Sequence, residues 1–198
     1  DSAEMRPYTS VLSRLKSPGG VWSIMGNHDY GDYYRWPDAK AKAADIDSLQ
    51  RMQREMGWKM LNNDYTWLRA GNDSIALIGV ENIGEPPFHC YGSLGAAYSD
   101  VADDCHKILL SHNPAHWTDS ISGSKDCNIA LTLSGHTHAM QIEFLGLSPA
   151  AWRYKTWGGL YSDGDGRQLY VNIGLGEVGM PARIGATPEI TLLVLKSK

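Results

Sequence analysis

The chain is poor in cysteine, in clustered basic charge and in long apolar runs, and each scarcity excludes a class of protein. Its three cysteines, Cys90, Cys105 and Cys127, are odd in number and irregular in spacing, which fits neither a disulfide framework nor a zinc cluster. At most one disulfide can form, so the redox compartment stays open. The 18 Lys and Arg residues are outnumbered by 22 Asp and Glu, for a formal net charge of -4. No Lys/Arg run tracks a phosphate backbone, so no nucleic acid is expected as a partner. No segment approaches the roughly 20 apolar residues of a membrane span. What remains, 198 residues with 42% hydrophobic content, is enough for one sizeable core, and a single domain over residues 1–198 is expected.

Met5, Tyr8, Val11, Leu12 and Leu15 recur at helical spacing, so an amphipathic helix is expected almost at once after Asp1. That reads like the middle of a domain, and the expectation is that sequence upstream of Asp1 belongs with it. Pro18-Gly19-Gly20 ends the helix, and residues 21–25 read as a short buried strand stopping at Gly26. Residues 39–56 combine strong helix formers with Ile46, Leu49, Met52 and Met56 on one side and Gly57 as a stop, the clearest helix of the chain. Residues 65–68 and 74–80 flank Gly71-Asn72-Asp73 as a hairpin, and residues 81–95, rich in Gly and Pro, read as a loop. Residues 107–111 and 129–133 are further apolar runs. Residues 160–162 and 168–171 flank a second hairpin turn, and 189–195 read as a closing strand. Strands interleaved with helices give an α/β class, in which ligands sit beyond the carboxyl ends of the strands.

Polar groups gather at those ends. Gly26-Asn27-His28-Asp29 follows the first apolar run, His112-Asn113-Pro114 follows another, and Gly135-His136-Thr137-His138 follows a third. On extended backbone, His136 and His138 project the same way and could serve one ion or two adjacent ions, with Gly135 allowing a tight turn beside them. An isolated His-x-His is more often a pair of solvated side chains in a polar loop; His112 could simply cap a strand, and Asn27 could be a turn residue. Three such groups together change the balance, because imidazole nitrogens and an amide oxygen are what a borderline divalent cation accepts.

In order and in strand-end context, Gly26-Asn27-His28-Asp29, His112 in Ser-His-Asn-Pro and Gly135-His136-Thr137-His138 resemble the last three blocks of the calcineurin-like metallophosphoesterases. The resemblance extends through the C-terminus, where Leu169 to Asn172, Gly174-Leu175-Gly176, Pro181, Arg183 and Pro188-Glu189-Ile190 are similar to the bacterial YkuE and YaeI phosphodiesterase branch. It implies a four-layer α/β/β/α sandwich lacking its first strands. The family's Asp-x-His and Gly-Asp-x-x-Asp blocks, which precede the position of Gly26, have no counterpart in residues 1–25.

By the same resemblance, Asn27, His112 and His136 would ligate one divalent ion (Mn, Fe, Zn or Mg) and His138 a second. His28 would protonate the leaving alkoxide, Asp29 would support its ring, and Arg183 could hold a phosphate oxygen or form a surface salt bridge. The intact family site uses two ions and an activated hydroxide on a phosphomonoester or phosphodiester. With its bridging carboxylate missing, this chain is expected to hold at most one ion and to have negligible activity. A small or lipid-linked phosphoester is the implied substrate, and an exported or membrane-anchored location the implied context. The unpaired edge of the 21–25 strand implies self-association. A rival reading is a non-catalytic binding module on the same scaffold. His89 and Cys90 lie in the 81–95 loop, which either shapes access to the site or is plainly exposed; His106 and His116 read as structural or solvated, and the seven tryptophans could line an apolar lipid or nucleotide pocket, though core packing explains them at lower cost.

Overall fold

The structure, a computed structural model, describes residues 1–102, 104–124 and 128–196. Cys127 lies outside the described residues; Cys90 and Cys105 are free thiols. The chain opens with α1 (Ser2–Met5), a three-ten turn over Arg6–Tyr8 and α2 (Thr9–Leu12). The single helix expected there is interrupted because Pro7 has no N–H to give to the preceding turn. Then come β1 (Val21–Ser23), a three-ten turn over Asn27–Tyr30, and α3 (Ala39–Glu55). The Asp38 side chain caps α3 at the Ala41 N–H, 2.7 Å away. Five strands and a short helix follow: β2 (Trp58–Met60), β3 (Asp64–Ala70), β4 (Asp73–Gly79), α4 (Leu94–Tyr98), β5 (Lys107–Leu110) and β6 (Leu131–Ser134). The second hairpin is β7 (Gly159–Ser162) and β8 (Gln168–Val171).

Two sheets result. β1 pairs in parallel with β2, and the larger sheet runs in the order β3-β4-β5-β6-β8-β7. Within it β4, β5, β6 and β8 are mutually parallel, so their carboxyl ends share one edge. Parallel strands buried on both faces need apolar side chains on both. Leu77, Ile108, Leu110, Leu131 and Leu133 meet Trp22 and Ile24 of the small sheet's first segment. Ile78, Val80, Leu109, Leu169 and Val171 face the other way, onto Ala97, Trp117 and Ile121. Full burial of a Val, Leu or Ile side chain such as Ile78, Val80 or Leu109 contributes about 1.5–3 kcal/mol. On the outer side of the small sheet, Leu49 and Met52 of α3 are buried along with Met25 and Met56. Helices, small sheet, large sheet and helices thus stack as four layers, an α/β architecture with both parallel and antiparallel pairing. Gly79 marks where the sheets touch, since a Cβ there would lie 2.3 Å from the Leu61 Cβ.

Two expectations need correction. β2 was not anticipated, because three residues of mixed polarity carry too short a pattern. Residues 189–195 form no strand: no neighbouring strand among the described residues offers them backbone partners, and Ile190, Leu192 and Val194 lie exposed. They are tethered by one backbone bond, from the Glu189 N–H to the Gly174 carbonyl at 3.0 Å, and by side chains, Thr191 accepting from the Asn172 amide at 2.8 Å. Among the described residues β1 has β2 as its one strand neighbour.

Candidate metal centre

The parallel register sets the site. Leu110 pairs with Leu133 and Ser134 with Val171, so the chain leaves adjacent strands side by side, and the Gly135 N–H donates to the His112 carbonyl at 3.0 Å. From the neighbouring sheet, β1 runs out to Gly26, whose N–H donates to the Asp29 carboxylate at 2.7 Å. That bond closes the Asn27–Tyr30 turn and aims Asn27 at the large sheet. Gly26 itself is extended, with φ -98° and ψ 178°, so backbone freedom is not its role. A Cβ there would stand 2.8 Å from His112 ring atoms, and glycine is what lets that imidazole lie against the turn.

Three donor atoms converge. His112 Nε2 lies 2.9 Å from Asn27 Oδ1, His136 Nδ1 lies 3.3 Å from the same oxygen, and the two nitrogens are 3.3 Å apart. Ligands bound about 2.1 Å from one tetrahedral ion stand roughly 3.4 Å from each other, so the donors are already at ligand spacing. Among the described residues no three His, Cys, Asp or Glu side chains cluster as a metal site; this triad takes its third donor from an amide. Burial, reinforced by His136, His138 and His28, pushes the His112 pKa down to about 3. Burial, with His138 and His28, takes His136 to about 4. Both rings are therefore neutral at pH 7 and have lone pairs to give.

Neighbours fix their orientation. His136 Nε2 lies 2.8 Å from the Tyr154 hydroxyl, which leaves Nδ1 to face the triad when the proton sits on Nε2. The Asn27 amide donates to the Tyr33 hydroxyl at 3.1 Å, turning its oxygen toward the histidines. Sequence reasoning missed Tyr33 and Tyr154. Tyr33 follows Asn27 closely in an aromatic-rich stretch, whereas Tyr154 is 18 residues from His136 and carries no local signal.

The backbone at His136 and His138 differs from expectation. His136 and His138 have φ of 72° and 50°, so the backbone is left-handed rather than extended and the two rings diverge. His138 Nδ1 lies 3.4 Å from Arg183 Nη2. The turn continues left-handed through Ala139, Met140 and Gln141, a strained run for non-glycine residues. It is held by Ser148, which donates to the Ala139 carbonyl at 2.6 Å, and by the buried Gln141, which donates to the carbonyls of Met180 and Ala182. Gly135 needs no positive φ; the tight turn falls on His136 instead. Arg183 donates to the carbonyls of Gly176, Ile173 and Ala186, so backbone oxygens occupy the guanidinium, and it forms no salt bridge among the described residues.

His28 is exposed, its ring 4.7 Å from that of Tyr33. The Asp29 carboxylate accepts from the Gly26 N–H, and burial raises its pKa despite that bond and the nearby His28. A cavity of about 290 Å3 adjoins Asn27, lined also by Asp32, Tyr33, Asn82, Phe88 and His89. His89 of the 81–95 loop therefore borders the site. His116 is buried against the Ser111 hydroxyl at 2.9 Å, and His106 is exposed.

Residues 4–140 match the family model for calcineurin-like phosphoesterases. The chain belongs to that family. Calcineurin-like phosphoesterases from Bacillus subtilis are similar to it along most of its length. It is 34% identical over 194 residues to the uncharacterized metallophosphoesterase YkuE, covering 94% of this chain and 60% of that protein. It is 27% identical over 193 residues to YkoQ, covering 93% and 63%. A bovine relative, named transmembrane protein with metallophosphoesterase domain, is 28% identical over 207 residues, covering 100% of this chain and 43% of the relative. The chain thus spans about two fifths to three fifths of the length of these relatives. Family membership implies divalent metal and phosphoester hydrolysis in general terms. Among the described residues no helix is long and apolar enough to cross a membrane.

Proposed function

We propose that residues 1–198 form one domain that holds a single divalent ion at Asn27, His112 and His136 and binds phosphoesters there. The convergence of three donor atoms from three separate strand ends, each 2.9–3.3 Å from the others, carries this reading. When bound, the ion supplies Lewis-acid polarisation of a phosphoryl oxygen and activation of water. The chain's own contribution is positional. Tyr154 and Tyr33 orient two of the donors, burial keeps both imidazoles unprotonated, and the bond from Gly26 to Asp29 fixes the turn that presents His28. Exposed beside the Asn27 cavity, His28 is the residue we assign to protonate the leaving alkoxide.

All three donors of this site are neutral. Two dications cannot sit near each other without anionic ligands to offset their repulsion. His138 is turned toward Arg183, so we assign it no ion in this chain and infer negligible turnover from the chain alone. The membrane context in the name of the bovine relative favours a lipid-linked phosphoester and a membrane-held or exported location. The second edge of β1 is the surface we assign to self-association.

Binding of inorganic phosphate, measured by calorimetry with and without manganese, tests the reading. Phosphate binding that needs manganese, with near-background hydrolysis of bis(p-nitrophenyl) phosphate, is expected. Phosphate binding indifferent to metal removes the phosphoester assignment, and rapid hydrolysis with two ions per chain removes the single-ion limit.

A further inference from the structure

Core packing accounts for buried Trp117 but not for Trp152, which is 90% exposed. Trp152 ends a three-ten turn, Pro149–Trp152, that begins two residues after an apolar hairpin tip. Phe144 and Leu147 exchange backbone hydrogen bonds of 2.9 and 3.0 Å, with Leu145 and Gly146 left-handed between them at φ 52° and 77°. That is the geometry of a tight two-residue turn, where Asn or Gly is the usual occupant. Here Leu145 stands at the apex, 85% exposed, flanked by Phe144 at 74% and Leu147 at 75%. The tip is held in place from beneath: Ser148 caps the following turn at the Ala150 N–H and bonds the Ala139 carbonyl, while Ala150 is fully buried.

Clustered exposure of this kind marks an interaction surface. We propose that the Phe144–Leu147 tip and Trp152 form a wedge that inserts into the interface of an anionic lipid bilayer. Two features favour lipid over a protein partner. The side chains project singly from a convex tip, and acyl chains accept such projections without a shaped groove. Arg153 and Lys155, exposed next to Trp152, suit anionic headgroups. Arg153 reaches Glu85 at 2.9 Å, an exposed pair of little strength, and Lys155 has no ion-pair partner among the described residues. Aromatic rings with basic neighbours are typical interfacial anchors. The wedge also adjoins the metal donors along the chain: Tyr154, bonded to His136, is two residues from Trp152, and the strained His138–Gln141 turn runs into Ile142.

Co-sedimentation of the chain with phosphatidylcholine vesicles, with and without phosphatidylglycerol, tests the wedge without reference to turnover. Binding to the anionic vesicles is expected, weakened about tenfold or more by Leu145→Glu and by Trp152→Ser, and weakened by Lys155→Gln only when phosphatidylglycerol is present. Thermal melts should be unchanged, because these side chains are exposed. No sedimentation of the unmodified chain overturns the proposal. So does equal binding by both apolar-site variants, which would place lipid affinity on the exposed 190–194 segment. Conversion of a dimer to a monomer by these variants, seen by analytical ultracentrifugation with vesicle binding unaltered, would make the tip a protein interface instead.

Discussion

Gly26→Ala perturbs the proposed metal centre through sterics alone. Its backbone, at φ -98° and ψ 178°, accepts any residue, so no conformational strain enters. The added methyl group would sit 2.8 Å from Cε1 and Nδ1 and 2.9 Å from Cδ2 of His112, over the face of the ring. Ordinary contact requires a retreat of roughly half an ångström. His112 Nε2 is 2.9 Å from Asn27 Oδ1, and both atoms sit on the two elements the methyl forces apart. Overpacking of this kind costs about 1–3 kcal/mol. If that strain is relieved on metal-free protein by the ring swinging away, it must be restored on binding, and affinity falls by about tenfold to a hundredfold. Titration calorimetry with zinc or manganese reads the change directly, and circular dichroism melts report whether the fold has suffered. A Gly26→Ala protein that melts like the parent and binds metal with the same Kd would refute the claim that the turn and His112 are held together for the ion.

Other perturbations separate the roles of neighbouring residues. Tyr154→Phe removes the hydroxyl partner of His136 Nε2, and metal affinity should drop about tenfold with little change in melting temperature; an unchanged Kd denies Tyr154 an orienting role. His138→Ala should leave metal content as it was, and loss of the ion in that variant would place His138 among the ligands. Wherever turnover is measurable, His28→Ala should lower it by about two to four orders of magnitude, less for leaving groups of low pKa, and equal losses for good and poor leaving groups argue against proton donation. His112, His136 and His116 have folded pKa values of about 3, 4 and 4, below the ordinary 6.5. Stability from neutral imidazoles is therefore complete above pH 6.5 and lost as pH falls from 6.5 toward 4. The metal-free melting temperature should decline over that window, and a flat profile contradicts their burial as neutral rings.

Much of the site could be read from strand ends because parallel strands bring carboxyl termini to one edge whatever the loops do. Apolar runs followed within one or two residues by His or Asn pointed to Asn27, His112 and His136, and the register of β5 and β6 brings the two histidines into proximity. Sequence could not show the left-handed backbone at His136 and His138, since non-glycine residues adopt it only where surroundings compel it. The bonds from Ser148 and Gln141 that do so come from residues with no motif. Nor could it show Tyr154 behind His136, a contact made by loop geometry. The 189–195 segment is rich in strand-forming apolar residues, yet pairing depends on a neighbour, and composition alone provides none. Trp152 reads as core by composition and lies on the surface because the Pro149–Trp152 turn buries Ala150 instead.

The central claim is that Asn27, His112 and His136 hold one ion between them. Metal content after manganese or zinc loading and gel filtration, compared across the unmodified chain and its Asn27→Ala, His112→Ala, His136→Ala and His138→Ala variants, addresses it most directly. One ion per chain, lost in the first three variants and retained in the fourth, is the predicted result. An ion retained in His112→Ala or His136→Ala would contradict it.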